Sequence, residues 1–206
     1  MDSDMIVIVD YGMGNLRSVQ KALQRVGYEA EITSSPAQVG RASGVILPGV
    51  GAFGEAMSNL ARARLVDVLR QVAADRPFLG ICLGQQLLFE QSTEMGRHEG
   101  LGILPGRVVR FGGQLKVPHI GWNQLHLVRP SPILNGVRDG DFAYFVHSYY
   151  VAPADPQVVL AYTDYGVSFA SIVGRGQLFG LQFHPEKSQS VGLAMLASFA
   201  ALTRPR

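Results

Sequence analysis

Residues 6–9 read Ile-Val-Ile-Val, an unbroken run of β-branched side chains that stops at the glycine-broken stretch DYGMGN. A strand open to water on one face alternates apolar with polar residues. A run that is apolar at every position belongs to a strand covered on both faces, the condition of a parallel sheet between layers of helices. The chain then supplies the helices. Leu16, Val19, Leu23 and Val26 recur at three- and four-residue steps, Asn15 stands where a cap belongs, and Gly27 stands where a left-handed stop is usual. EAEIT and GVILPG read as further strands, and a long helical segment is predicted from about Glu55 to Ala74, ahead of Pro77. PFLGIC is again a buried strand. This alternation predicts an α/β fold with a mostly parallel central sheet flanked by helices.

The second half changes character. GRVVRF, FAYFVHSYYV, VVLAYTDYG and FASIVGRGQLFGLQFH are strand-like, and GRGQ reads as a hairpin turn, so an antiparallel β extension is expected in the C-terminal half. The closing SVGLAMLASFAALTR puts Leu193, Leu196 and Ala200 on one helical face. With no repeat, low-complexity tract or linker visible, the 206 residues, 47% of them hydrophobic, are expected to form one domain spanning 1–206. A net charge of +2 with scattered Lys and Arg offers no basic stripe for nucleic acid. No apolar run reaches the roughly 20 residues of a membrane helix, and the opening MDSDMIVIVDYG is acidic where a secretory leader is basic. A cytoplasmic protein is expected, with no membrane partner.

The only cysteine, Cys82, excludes an internal disulfide and a multi-cysteine zinc site. It lies in Gly80-Ile81-Cys82-Leu83-Gly84, between a buried strand and a helix expected to begin near Gln85, which predicts a sharp strand-to-helix turn of the nucleophile-elbow kind. The flanking glycines would permit the strained backbone, and the helix N-terminus would favour thiolate and turn free N–H groups toward an oxyanion. The competing reading is a small core side chain, the fate of most lone cysteines. A nucleophile needs a base. His98 and His126 sit in polar surroundings, whereas LFGLQFHPEKS delivers His184 at the end of an apolar strand that Pro185 interrupts. In an extended chain, Glu186 would lie on the same side and could hold the imidazole tautomer. The competing reading is a solvated loop histidine beside a surface glutamate.

The order Cys…His-Pro-Glu, with the cysteine in GICLGQQ, resembles the class I, or triad, glutamine amidotransferases. DYGMGNLRSV, LPGVGAFGEAM, EGLGILPGRVVRF, KVPHIGWNQL, YFVHSYY, TDYGVSF and FGLQFHPEKSQ resemble one subfamily, the glutaminase subunits of imidazole glycerol phosphate synthase, along essentially the whole chain. One departure is Gln85, where that subfamily's elbow has Met.

The resemblance implies hydrolysis of L-glutamine to glutamate and ammonia, with Cys82 as nucleophile, His184 as acid–base and Glu186 orienting it. It implies an oxyanion hole from Leu83 and from Val50 or Gly51 of PGVG, and substrate contacts from Gln86, Glu94 and the segment His147, Ser148 and Tyr149. No metal or other cofactor is called for. The partner implied is a separate cyclase subunit, a (β/α)8 barrel forming a heterodimer with this chain. It receives the ammonia and makes imidazole glycerol phosphate and an aminoimidazole carboxamide ribonucleotide in histidine biosynthesis. Such a barrel alone needs about 250 residues, so it must be another polypeptide. Asn15, Trp122 and Lys187 are the interface candidates, although a lone Trp can equally fill a core. The alternatives are a glutaminase of another synthase, such as the one making pyridoxal phosphate, a partner-independent cysteine hydrolase, and a binding subunit with a vestigial triad.

Overall fold

The computed structural model describes residues 5–204. The MDSD opening, on which the expectation about a secretory leader partly rests, lies outside the described residues. The first half runs β1 (Ile6–Val9), α1 (Leu16–Arg25), β2 (Ala30–Thr33), α2 (Pro36–Arg41), β3 (Gly44–Gly49), α3 (Phe53–Arg62), α4 (Val66–Asp75), β4 (Phe78–Cys82) and α5 (Leu83–Leu87). The second half runs β5 (Phe89–Ser92), β6 (His98–Glu99), β7 (Leu104–Arg110), β8 (His119–Gln124), β9 (His126–Leu127), β10 (Phe142–His147), β11 (Tyr149–Pro153), β12 (Val159–Asp164), β13 (Ser168–Arg175), β14 (Leu178–Leu181) and α6 (Gln189–Leu202).

Among the described residues the main sheet has the order β2-β1-β3-β4-β14-β13-β12-β9. Its first five strands are mutually parallel and the last three add on antiparallel. The fold is α/β, as the sequence predicts. The period of β1 shows why every residue is apolar: Ile6 and Ile8 pack in a core shared with α1 and α6, while Val7 and Val9 face the opposite core with α3 and α4. The GRGQ hairpin joins β13 to β14, with Gly176 at φ 63°. A four-stranded sheet, β11-β7-β5-β6, and a two-stranded ribbon, β10-β8, stand apart from the main sheet and flank the end of β4.

Several expected elements differ. The long helix from Glu55 to Ala74 is two helices, broken at Arg64, which adopts φ 56°. The break is a Schellman motif: Leu65 N–H reaches Leu60 O at 2.9 Å and Arg64 N–H reaches Ala61 O at 3.0 Å, with Leu60 and Leu65 both buried. Gly27 closes α1 by the same bonds, Tyr28 N–H to Leu23 O and Gly27 N–H to Gln24 O. Arginine at the equivalent position gives no sequence signal. Asn15 caps α1 by position, but its side chain makes no capping bond. The helix after Cys82 begins at Leu83, two residues before Gln85, and gives way to β5 after a single turn and a half. FAYFVHSYYV is two strands in different sheets, split at Ser148. The buried face of α6 centres on Met195, Leu196 and Phe199, with Leu193 only half-buried.

Gln85 is fully buried against Gly180 of β14, and neither polar atom of its amide has a hydrogen-bond partner among the described residues. An unpaired buried amide costs about 1–3 kcal/mol. Replacing it with the equally long, apolar Met is expected to stabilise the chain, raising the melting temperature by about 2–4 °C for each kcal/mol recovered. Thermal unfolding of Gln85→Met checks this; a lowered melting temperature would show that the amide is satisfied.

Candidate active site

Cys82 ends β4 and directly precedes α5, with φ 55° and ψ −110°. A non-glycine residue in such a conformation costs on the order of 1–3 kcal/mol and persists only where its surroundings enforce it. The expected role of the flanking glycines needs correction here, since neither Gly80 nor Gly84 has a positive φ. A Cβ on Gly84 would overlap the Leu47 carbonyl of β3, and one on Gly80 would overlap the Gly84 carbonyl. The two glycines let α5 lie directly on the sheet, and the strain of the turn falls on Cys82 itself.

His184 is not at the end of its strand: β14 stops at Leu181, and His184 instead precedes a 3-10 turn at Pro185–Lys187. Its N–H donates to Tyr144 O at 3.0 Å, while the Ser188 hydroxyl donates to its carbonyl at 2.7 Å and accepts from Tyr144 N–H at 3.0 Å. That clamp holds the loop to β10. Glu186 reaches the imidazole through the turn, not through an extended chain, and His184 Nδ1–H donates to its Oε1 at 2.9 Å. With Nδ1 so engaged, Nε2 is left for Cys82. The carboxylate is buried, and its Oε2 has no partner among the described residues, so the imidazole is its one hydrogen-bonded neighbour. Burial alone would lower the His184 pKa. The neighbouring Cys82 and the hydrogen-bonded Glu186, together with their charges, outweigh that and raise it to about 10.

Beside Cys82 and His184 lies a cavity of about 320 Å³, with Glu186 behind the imidazole and outside the lining. Val50, Gly51, Leu83, Gln86 and Glu94 line it with Cys82 and His184. His147, Ser148 and Tyr149 form another wall, and Asn15 and Lys187, both exposed, stand at its open side. Trp122 does not line the cavity. It lies on β8, 45% exposed and edge-on to Tyr144, so it does not fill a core. Glu94 Oε2 accepts the Phe53 N–H at 2.7 Å at the start of α3.

Three further residues belong to this neighbourhood. Tyr11 donates its hydroxyl to Pro48 O at 2.9 Å, and burial, then the nearby Cys82, holds that hydroxyl well above its ordinary pKa, so it stays a donor and pins the PGVG turn. Gln182 is fully buried, with Nε2 3.8 Å from the Cys82 sulfur and Oε1 accepting from Gln86 Nε2 at 3.1 Å. His119 Nδ1 lies 3.0 Å from His147 Nε2. One polar residue inside the apolar run LFGLQF was the available sequence signal for Gln182; nothing local marked the other two. His98, whose ring packs over Gly54, and His126, exposed beside Asp164, stay out of the cavity.

Among the described residues no cluster of three or more His, Cys, Asp or Glu side chains has the geometry of a metal site, and no helix is long and apolar enough to cross a membrane.

The family model of class I glutamine amidotransferases matches residues 7–201, and the chain belongs to that family. Its curated relatives narrow the group. It is 56% identical to the imidazole glycerol phosphate synthase subunit HisH of Syntrophotalea carbinolica, over 95% of this chain and 98% of that one. It is 54% identical to the HisH subunit of Aquifex aeolicus, over 94% of each. Solved structures share the fold: a glutamine amidotransferase at TM-score 0.73 and 21% identity, covering 95% of this chain and 98% of that one, and PurLQS from Thermotoga maritima at TM-score 0.73 and 20% identity, covering 98% and 97%.

The histidines dictate how stability responds to pH, with opposite signs. His184 binds its proton more tightly when folded, so its stabilising contribution is complete below its ordinary value of 6.5 and is lost as pH rises through about 10. His119 and His147 are pushed down by burial to about 4 and about 3, His147 further by the neighbouring histidines. Their contribution is complete above 6.5 and is lost as pH falls through those values. Melting temperature measured from pH 4 to pH 10 is expected to decline on both sides of neutrality; a steady rise toward pH 4 would contradict the buried neutral pair.

Proposed function

We propose that this chain hydrolyses the side-chain amide of L-glutamine to glutamate and ammonia, as the glutaminase subunit of an imidazole glycerol phosphate synthase. The observation that carries the reading is the buried Glu186–His184 pair, bonded at 2.9 Å, with the imidazole turned to a cysteine held in a strained elbow beside a cavity. Cys82 attacks the amide carbon while His184 takes the thiol proton and passes one to the departing ammonia; water then cleaves the thioester by the same acid–base route. Glu186 orients the ring and balances the imidazolium charge.

The tetrahedral oxyanion needs two donors. Leu83 opens α5, so its N–H has no acceptor within the helix. Val50 or Gly51 supplies the second from PGVG, and losing one such donor costs about 3 kcal/mol of barrier. The conformation of that turn therefore governs the rate. Glu94 has one oxygen committed to Phe53 N–H and one left for the substrate ammonium. Gln86 spends both amide hydrogens on Tyr149 O and Gln182, so its carbonyl oxygen faces the substrate. Main-chain N–H groups of His147, Ser148 and Tyr149 suit the carboxylate. The reaction calls for no cofactor.

Ammonia released to water is lost as ammonium, so a closed path to a partner is needed. Relatives named HisH are subunits of imidazole glycerol phosphate synthase, and the partner proposed here is the (β/α)8 cyclase subunit. Its docking surface is the outer face of the β8–β10 ribbon, where Ile120, Trp122 and Phe142 are all exposed. Asn15 and Lys187 complete it at the cavity mouth. Residues 1–206 act as one glutaminase domain in the cytoplasm.

Cys82→Ala is expected to abolish glutamate formation from glutamine while leaving association with the cyclase unchanged, as read by a coupled glutamate assay and by titration; retained turnover would remove the nucleophile and with it the function. Trp122→Ala is expected to weaken cyclase binding by about 2 kcal/mol, roughly thirtyfold. Calorimetric titration checks this, and an unchanged affinity would take Trp122 out of the interface.

A further inference from the structure

Among the described residues the Cys82 sulfur has two hydrogen-bonded neighbours, the Val146 carbonyl at 3.9 Å and Gln182, and along the path through Gln182 the proton positions are dictated by one backbone carbonyl. Tyr149 O can only accept, so both of its partners must donate: His147 Nδ1–H at 2.8 Å and Gln86 Nε2–H at 2.9 Å. The second hydrogen on Gln86 Nε2 goes to Gln182 Oε1 at 3.1 Å. Flipping either amide would set acceptor against acceptor or donor against donor. Gln182 must therefore present its Nε2–H, not its oxygen, to the sulfur at 3.8 Å.

The same logic runs the other way. A neutral His147 that donates from Nδ1 has a bare Nε2, so His119 must carry its proton on Nδ1, 3.0 Å away. His119 Nε2 then accepts from Asn123 Nδ2 at 3.3 Å. The His119 ring is held in plane by stacking on Tyr165 and Phe145, with centroids 4.0 and 5.1 Å away. Both histidines are buried and neither has a carboxylate partner among the described residues, which fits two neutral rings of fixed tautomer.

We propose that Gln182 is a donor to the Cys82 sulfur that stabilises it as the thiol loses its proton, and that His119 is a positioning residue that, through His147, holds in place the Tyr149 carbonyl on which that orientation depends. The inference rests on Cys82 being the nucleophile. A hydrogen bond to an ionised sulfur is stronger than one to a thiol, so the arrangement favours the reactive form without contacting the substrate amide.

Cys82 is the only cysteine, so mass gain on treatment with iodoacetamide reports this sulfur alone. Gln182→Leu, in the complex with the cyclase, is expected to lower kcat and to slow alkylation at neutral pH by about tenfold, the scale of one hydrogen bond to a charged group. Gln182→Glu keeps the side-chain size and replaces the donor with an acceptor, so it serves if the leucine variant does not fold; alkylation should again slow. His119→Phe should slow alkylation, and His119→Asn, whose amide N–H stands where Nδ1–H stood, should restore it. A folded Gln182 variant that alkylates at the parental rate would overturn the donor, and His119→Asn as slow as His119→Phe would overturn the positioning role. Alkylation reads the sulfur whatever the substrate, so loss of the glutaminase reading in the Cys82→Ala assay is a separate outcome.

Discussion

The contact between Gly84 and the Leu47 carbonyl sets the geometry on which the site depends. Because no side chain intervenes, α5 lies against β3 and β4 at backbone distance, and the chain can leave β4 only by a turn too sharp for ordinary dihedrals. Cys82 absorbs that strain, and the energy comes from the surrounding core, where the strands beside it are fully buried on both faces. A thiol mounted this way is rigid and stands beside backbone N–H groups at the start of the short helix. The same β3 that receives Gly84 continues into PGVG, so one packing contact places both the sulfur and the turn that faces it.

The β8–β10 ribbon has two chemically distinct faces because residues alternate along it. Ile120, Trp122 and Phe142 point outward and remain exposed, whereas His119, Phe145 and His147 point inward. A partner seated on the outer face thus presses on the element whose inner face holds the histidine pair, and that pair is hydrogen-bonded to the wall of the cavity. The clamp from Tyr144 to the His184 loop starts from the same ribbon. The proposed docking face and the cavity share a support, which gives a physical route for one to affect the other.

Much of this was legible along the chain. The all-apolar runs located three of the parallel strands, the elbow was readable from a cysteine between a buried strand and a helical pattern, and Cys82 and His184 line one cavity with Glu186 bonded to the imidazole. The failures share a cause. Arg64 ends a helix in a conformation usually left to glycine, Glu186 reaches its histidine by a 3-10 turn, and β14 stops three residues short of His184. Each is set by bonds to residues remote in sequence or by local strain that packing overrides, and neither leaves a periodic trace. Glycines at 80 and 84 were visible as important, but the natural inference from glycine is dihedral freedom, whereas here the reason is space.

What could be read from residue order alone was the set of chemical parts and their host: an α/β sheet, a lone thiol at a strand-to-helix junction, and a His-Pro-Glu segment late in the chain. Hydrophobic period and backbone preference are local quantities, so the linear pattern carries them. Which way the Gln182 amide points, which tautomer His119 and His147 hold, and which face of the ribbon stays bare depend on donors and acceptors brought together from segments as far as 100 residues apart. Hydrogen bonds are directional and short, and their pattern exists only once the folded backbone has placed those groups within reach of one another.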